Sequence, residues 1–239
     1  MFNTHGVKIT WLGQSTYRIQ SAGKTLYLDP FLTSNPLCPA NEKNPTAADF
    51  VLVTHGHADH TSDLVALAQR SQAKVLCMIE MGLWLQKQGV PESQIIAGNK
   101  GGTVELGGAK VTMVHADHSS SIAGRDGLAV YLGEAAGFVI QFQEGLRAYF
   151  AGDTAVFGDM RLLAEIYHPE VAFLPIGDFF TMGPLEAAHA CRLLGVAAVV
   201  PNHYATFPVL SGTPAELRHL LQEAGTPCEV CELKPGQTI

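Results

Sequence analysis

The sequence predicts an α+β fold: one domain, residues 1–239, of β-sheets covered by helices. Three observations carry that expectation. Short apolar runs recur along the chain and are joined by tight, glycine-containing turns. Helix starts are marked between some of them. No low-complexity segment, long linker or repeat with a period of roughly 20–50 residues divides the chain.

Taken in order, "VKITWLG", "TYRIQ" and "KTLYLD" read as an opening antiparallel meander with a turn at Ala22-Gly23. "DFVLVT" is almost continuously apolar, as expected of a central strand. Ser62 to Gln69 carries Leu64 and Leu67, which suits an amphipathic helix. "TVELGGAKVTMV" predicts a hairpin with Gly107-Gly108 at its bend. "LAVYLG", "GFVIQFQ" and "LRAYFAG" predict three more strands, the last two turning at Glu144-Gly145. Gly183-Pro184-Leu185-Glu186 opens a helix that ends near Gly195. Thr213-Pro214-Ala215-Glu216 is a capping box with proline at the first helical position, and Gly225 closes that helix.

Composition narrows the function. Apolar residues make up 47% and charged residues 15%, which excludes a disordered or fibrous chain. The net charge is −7 with no Lys/Arg block, so a nucleic-acid partner is not expected. Bound divalent cations would offset part of that charge. The N-terminal "MFNTHGVKITWLG" lacks the basic and apolar regions of a signal peptide. No apolar run reaches the ~18 residues of a membrane span. The five cysteines are scattered; Cys228-Glu-Val-Cys231 has no second pair to complete a zinc site. Reduced thiols, no membrane anchor and a cytoplasmic location are the expectation, with self-association left open.

The chemistry concentrates in "THGHADH", residues 54–60, straight after "FVLV". Imidazoles and carboxylates are good ligands for first-row metals. In an extended segment His55 and His57 point to the same side, and Gly56 leaves the backbone room to turn. Asp59 and His60 fall at the start of the next helix and point elsewhere. The six residues therefore divide into two pairs, each able to hold a different metal. A polar loop that is merely His-rich explains four ligand-type residues in six much less well.

His55-x-His57-x-Asp59-His60 after a hydrophobic strand resembles the signature of the metallo-β-lactamase superfamily. That pattern requires a further histidine, aspartate and histidine in order. "VTMVHADHSS" supplies His118, "LRAYFAGDT" supplies Asp153, and "AAVVPNHYATFP" supplies His203. "YLDPFLTSNP", "AxHSS", "PIGDFFTMGP" and "PxHYxTFP" look most like the small bacterial metal-dependent hydrolases related to ascorbate-6-phosphate lactonase and N-acyl-phosphatidylethanolamine phospholipase D. The glyoxalase and true β-lactamase branches commonly have glycine before the third-site histidine, where Asp117 stands here. The long arm of the tRNA-processing branch is absent.

The resemblance implies a four-layer αβ/βα sandwich with metals where strand ends meet. It implies that His55, His57 and His118 hold a first metal, Asp59, His60 and His203 a second, and that Asp153 bridges both. It further implies a hydroxide between the metals as nucleophile, oriented by Asp59, so that Asp59 and Asp153 carry the catalysis. Two divalent ions are expected, zinc first, with manganese or iron as alternatives. Of the two histidines in "VHADHSS", the family's A-x-H-S pattern lands on His118, past the strand end, and leaves His115 on the strand.

Weaker candidates surround this set. Asp29 ends a strand, where the family often has an acidic residue bonded to a ligand histidine. Asp178, in a glycine-flanked loop, is a candidate for the mouth of the site; Tyr204 and Thr206 are candidates for substrate contact, Tyr204 equally for packing. His5, His168, His189 and His219 have no motif around them and read as structural or surface residues. "DPFLTSNP" and "DFFTMGP" bring Phe31, Leu32, Phe179, Phe180 and Met182 toward the site, so a partly apolar pocket is expected. The expected activity is hydrolysis of a small-molecule ester, lactone or phosphodiester. The alternatives are a non-haem iron redox protein or a metal-binding scaffold without catalysis. Flavodiiron proteins of the superfamily put Glu where His57 stands, which favours zinc here.

Overall fold

The computed structural model describes residues 2–124 and 126–239. The chain opens with β1 (Lys8–Trp11), β2 (Tyr17–Ser21), β3 (Lys24–Leu28) and β4 (Phe50–Leu52). Helices α1 (Ala58–Thr61) and α2 (Leu64–Ser71) follow, then β5 (Lys74–Met78), α3 (Ile79–Lys87) and β6 (Ile95–Gly98). β1 to β6 form a six-stranded sheet in sequence order. Its first three strands are the antiparallel meander, and β3 to β6 run parallel.

The second half begins with β7 (Thr103–Leu106) and β8 (Ala109–His115), then β9 (Ser121–Ala123) and β10 (Ala129–Tyr131). Next come β11 (Ala136–Gln141), β12 (Arg147–Phe150), α4 (Met160–Tyr167) and β13 (Val171–Pro175). The chain closes with α5 (Pro184–Leu194), β14 (Ala198–Asn202), α6 (Pro214–Glu223) and β15 (Glu229–Val230). The seven-stranded sheet has the order β15-β14-β13-β12-β11-β8-β7, and its β12 to β15 are parallel.

Side-chain alternation assigns the faces. Leu52 and Leu76 point inward, into a core shared with Val111, Met113, Phe138 and Phe150 of the other sheet. Their neighbours Val51 and Val75 point outward, onto Leu64 and Leu67 of α2 and Leu85 of α3. Helices α4 to α6 pack beside one another, α5 against β13 and α6 against β15. The result is a sandwich of two face-to-face sheets with helices outside.

Local chemistry explains the helix ends. Thr213 Oγ1 accepts the Glu216 N–H at 3.2 Å, and Glu186 Oε2 accepts the Gly183 N–H at 3.2 Å. The "LAVYLG" strand differs from the others. Among the described residues its β10 pairs only with β9, in a separate two-stranded ribbon, and Ala129–Tyr131 are exposed. An apolar run this short packs on the core only where a sheet edge offers it a register. All five cysteines are free. No helix among the described residues is long and apolar enough to cross a membrane.

One contact ties the fold to what it carries. Behind β13, Gly177 lies so close to the chain after β14 that a Cβ there would sit 2.0 Å from the His203 carbonyl oxygen. Backbone cannot yield to that as a flexible side chain would. Gly177→Ala is expected to cost about 1–3 kcal/mol, the usual range for overpacking, measured by urea denaturation. Gly158→Ala, with nothing within 4 Å of its added Cβ, should be close to neutral.

Candidate metal centre

Ligand-type side chains gather where parallel strands of both sheets end. Asp29 follows β3, the His55–His60 segment follows β4, Asp153 follows β12 and His203 follows β14. His118 comes from the segment after β8. Two clusters of donor atoms result, each within a 4.8 Å span: His55 with His57 and His118, and Asp59 with His60, Asp153 and His203. The 54–60 segment contributes one pair of donors to each cluster. His55 and His57 leave the extended chain, while Asp59 and His60 lie in the single turn of α1.

The three imidazoles face one another through ring nitrogens. His57 Nδ1 lies 3.1 Å from His55 Nε2 and 3.3 Å from His118 Nε2. A tetrahedral zinc with nitrogens at 2.0–2.1 Å has ligand-to-ligand edges of about 3.3 Å. Burial pushes all three imidazoles below their ordinary pKa, and His60 adds to this. They are therefore neutral, with lone pairs available.

The mixed cluster behaves differently. His203 Nε2 is 3.1 Å from Asp153 Oδ2 and 3.6 Å from Asp59 Oδ2. His60 Nε2 is 3.3 Å from Asp153 Oδ1, yet both atoms are buried without a hydrogen-bond partner. Burial opposes charge on His60 and His203, but Asp153 with Asp59 outweighs it, raising His60 well above its usual value and His203 to about 9. Burial likewise opposes charge on Asp153, and His203 and His60 overcome it and hold the carboxyl well below its usual range. The site demands positive charge between its carboxylates. In the absence of a cation, protons on imidazoles supply it. Orphaned donors, neutral imidazoles and this demand all fit divalent cations.

Asp29 sets imidazole orientation in both clusters. His60 Nδ1 donates to Asp29 Oδ2 at 2.9 Å, which turns Nε2 toward the site. Thr54 Oγ1 donates to the same Oδ2 at 2.7 Å, so it accepts from His55 Nδ1 at 3.0 Å and leaves His55 Nε2 bare.

Residues 24–204 match the model of the beta-lactamase superfamily domain. The chain belongs to that superfamily. Curated relatives narrow the branch. The chain is 48% identical to a UPF0173 metal-dependent hydrolase of Rubrobacter xylanophilus, over 98% of this chain and 96% of the relative. It is 46% identical to another from Koribacter versatilis, over 98% and 97%. Among solved structures, a metallo hydrolase of the archaeon Ignicoccus hospitalis superposes with a TM-score of 0.83 at 34% identity, covering 98% of this chain and 97% of that one. The chain is a member of this metal-dependent hydrolase family, with a His/Asp metal-binding site.

The remaining candidates divide between the cavity, the core and the surface. Tyr204 is buried and stacks on Trp11 at 5.4 Å, so it packs rather than faces the cavity. Thr206 is buried and donates to the Tyr204 carbonyl. Asp178 caps its own turn, accepting the Phe179 N–H at 2.7 Å, and is not among the cavity-lining residues. Leu32 and Met182 are fully buried, and Phe179 stands out in solvent; only Phe31 and Phe180 of the expected five line the cavity. His5, His189 and His219 pair with Glu170, Arg192 and Glu223, and His168 ends α4.

Two contributors were given no role by the sequence, one outside the motifs and one, Phe207, inside "PxHYxTFP". Gln14 is fully buried; its Nε2 donates to Asp59 Oδ2 at 2.8 Å and its carbonyl accepts the His203 N–H at 3.1 Å. Phe207 lines the cavity four residues after His203. A glutamine in "WLGQST" is noticed only once a fold brings it to a carboxylate.

His115 and His118 separate cleanly. His115 ends β8, exposed, with its ring against Phe157 at 4.9 Å and its Nδ1 3.3 Å from Lys100 Nζ. His118→Ala is expected to lose about one metal per chain, and His115→Ala to keep wild-type content, by elemental analysis after dialysis against metal-free buffer. Equal loss in both would show that the strand end is placed three residues too late.

Proposed function

We propose that the chain is a dinuclear metal-dependent hydrolase, with His55, His57 and His118 holding one divalent cation, Asp59, His60 and His203 holding the other, and Asp153 shared by both. The observation that carries this reading is the position of Asp153. Its carboxylate lies 3.8 Å from His55 Nε2 and 3.8 Å from His118 Nε2 on one side, and 3.1 Å from His203 Nε2 and 3.3 Å from His60 Nε2 on the other. A three-imidazole set beside a mixed imidazole–carboxylate set favours zinc in both, with manganese suited to the second and iron the alternative.

When bound, such ions acidify water and polarise a carbonyl or phosphoryl oxygen. The protein supplies the rest. Asp59 lines the cavity and stays ionised: burial opposes its charge, but His60 and His203 hold its carboxyl well below the usual range. It orients the attacking water by accepting a hydrogen bond from it. Gln14 fixes the Asp59 carboxylate from behind. The net reaction adds the water oxygen to the acyl carbon or phosphorus of an ester, lactone or phosphodiester, and its proton leaves with the departing oxygen. A redox role on the same fold is less well supported, because His57 completes an all-imidazole set.

Asp153→Ala is expected to lower kcat/KM on any ester or phosphodiester turned over by the metal-loaded protein by on the order of a hundredfold or more, the scale of losing one preorganised charge. Metal content should fall from about two per chain in the same preparation. A variant with full activity and unchanged metal content would overturn the dinuclear reading.

A further inference from the structure

We infer that the substrate of this centre is an uncharged ester or lactone bearing an apolar arm, and that Phe31, Phe180 and Phe207 select it. The inference rests on the hydrolase reading and narrows it.

A cavity of about 700 Å³ lies over the ligand-type residues, within the size range of small-molecule sites. His57, Asp59, His118, Asp153 and His203 face it. Its other walls are Phe31, Ala58, Phe180, Phe207 and Val209, with three hydroxyls from Ser34, Ser62 and Ser119. Among the described residues, no Lys or Arg lines it. Lys43 donates to the Thr33 carbonyl at 3.1 Å.

Charge argues first. Sites that take phosphodiesters commonly add Arg or Lys beside their metals to match the fixed negative charge. Among the described residues no Lys or Arg faces the cavity, so a diester's charge would meet the metals alone, and Asp59 and Asp153 in the wall, with Asp29 behind His60, offset much of theirs. Serine hydroxyls can bond a carbonyl or ether oxygen but cannot balance an anion. Apolar surface argues second. The Phe31 and Phe207 rings lie 6.4 Å apart at 31°. Phe180 is 53% exposed and Val209 40% exposed, so apolar wall is left open to water beside the ligand cluster. An acyl chain or aryl ring would cover it. The reaction then adds water to the acyl carbon and breaks its bond to the ester oxygen. An ester gives a carboxylic acid and an alcohol; a lactone gives one hydroxy acid.

The test compares p-nitrophenyl acetate, butyrate and hexanoate with bis(p-nitrophenyl) phosphate, which keeps the aryl groups but adds a charge. With metal-loaded protein, kcat/KM is expected to rise by up to about fourfold per added methylene and, for the hexanoate, to exceed that for the diester. The hexanoate-to-acetate ratio should fall about fivefold or more in Phe207→Ala and in Phe180→Ala, the second of which removes a half-exposed ring and leaves the core intact. Independently of turnover, metal-free wild-type protein should bind the neutral ketone 4-phenylbutan-2-one in ligand-observed NMR, and Phe207→Ala should weaken that binding. A diester preferred over the hexanoate, or a ratio unchanged in both variants, would overturn the inference and leave the hydrolase reading standing. Turnover of no compound would overturn both.

Discussion

Burial of one carboxylate between four imidazoles is the constraint around which the rest is arranged. Asp153 sits at the end of β12, almost fully buried, with ring nitrogens of His55, His60, His118 and His203 all within 3.8 Å. A charge placed there costs several kcal/mol unless it is matched. Matching it requires residues from both sheets, because no single strand end carries enough donors. Gly152 makes the approach possible. It has φ +64, and a Cβ there would lie 2.8 Å from Thr54 Cβ on the opposite sheet. The Thr54 carbonyl accepts the Ala136 N–H at 2.9 Å, which joins the sheets at the same level. The core of the sandwich thus brings the two strand-end clusters into register.

Backbone strain concentrates at the same place. Gln14, Asp29, His203 and Ala205 all have positive φ, between +47 and +58. Each such residue costs about 1–3 kcal/mol and persists only where its surroundings over-determine it. Here they do. Asp29 is held by Thr54 and His60, and His203 by the Gln14 carbonyl, which also accepts the Trp11 indole N–H at 2.9 Å. Turning the chain back after β1, β3 and β14 lets side chains from separate strand ends aim at one spot, before any cation binds.

Much of this was legible in the sequence, for a definite reason. His55, His57, Asp59 and His60 are neighbours along the chain, so strand periodicity and a helix start suffice to sort them into two pairs. The turns at Gly107-Gly108 and Glu144-Gly145 and the caps at Gly183 and Thr213 are equally local. What was missed depends on contacts between distant segments. Gln14 meets Asp59 across 45 positions. Tyr204 was open between substrate contact and packing, and the distant Trp11 decides it by offering a ring to stack on. Leu32 and Met182 were expected near the pocket from their neighbours, but the core takes them, while Phe207 reaches the cavity from the far side of the His203 turn. Side-chain direction past a strand end is set by tertiary packing, which no periodicity encodes.

The claim on which the account rests is that two cations share Asp153. Anomalous diffraction from crystals of zinc-loaded protein, recorded on either side of the zinc edge, tests it most directly. The account expects two peaks, one in contact with His55, His57 and His118, the other with Asp59, His60 and His203, and the Asp153 carboxylate touching both. A single fully occupied peak, or two peaks with Asp153 bound to neither, would contradict it.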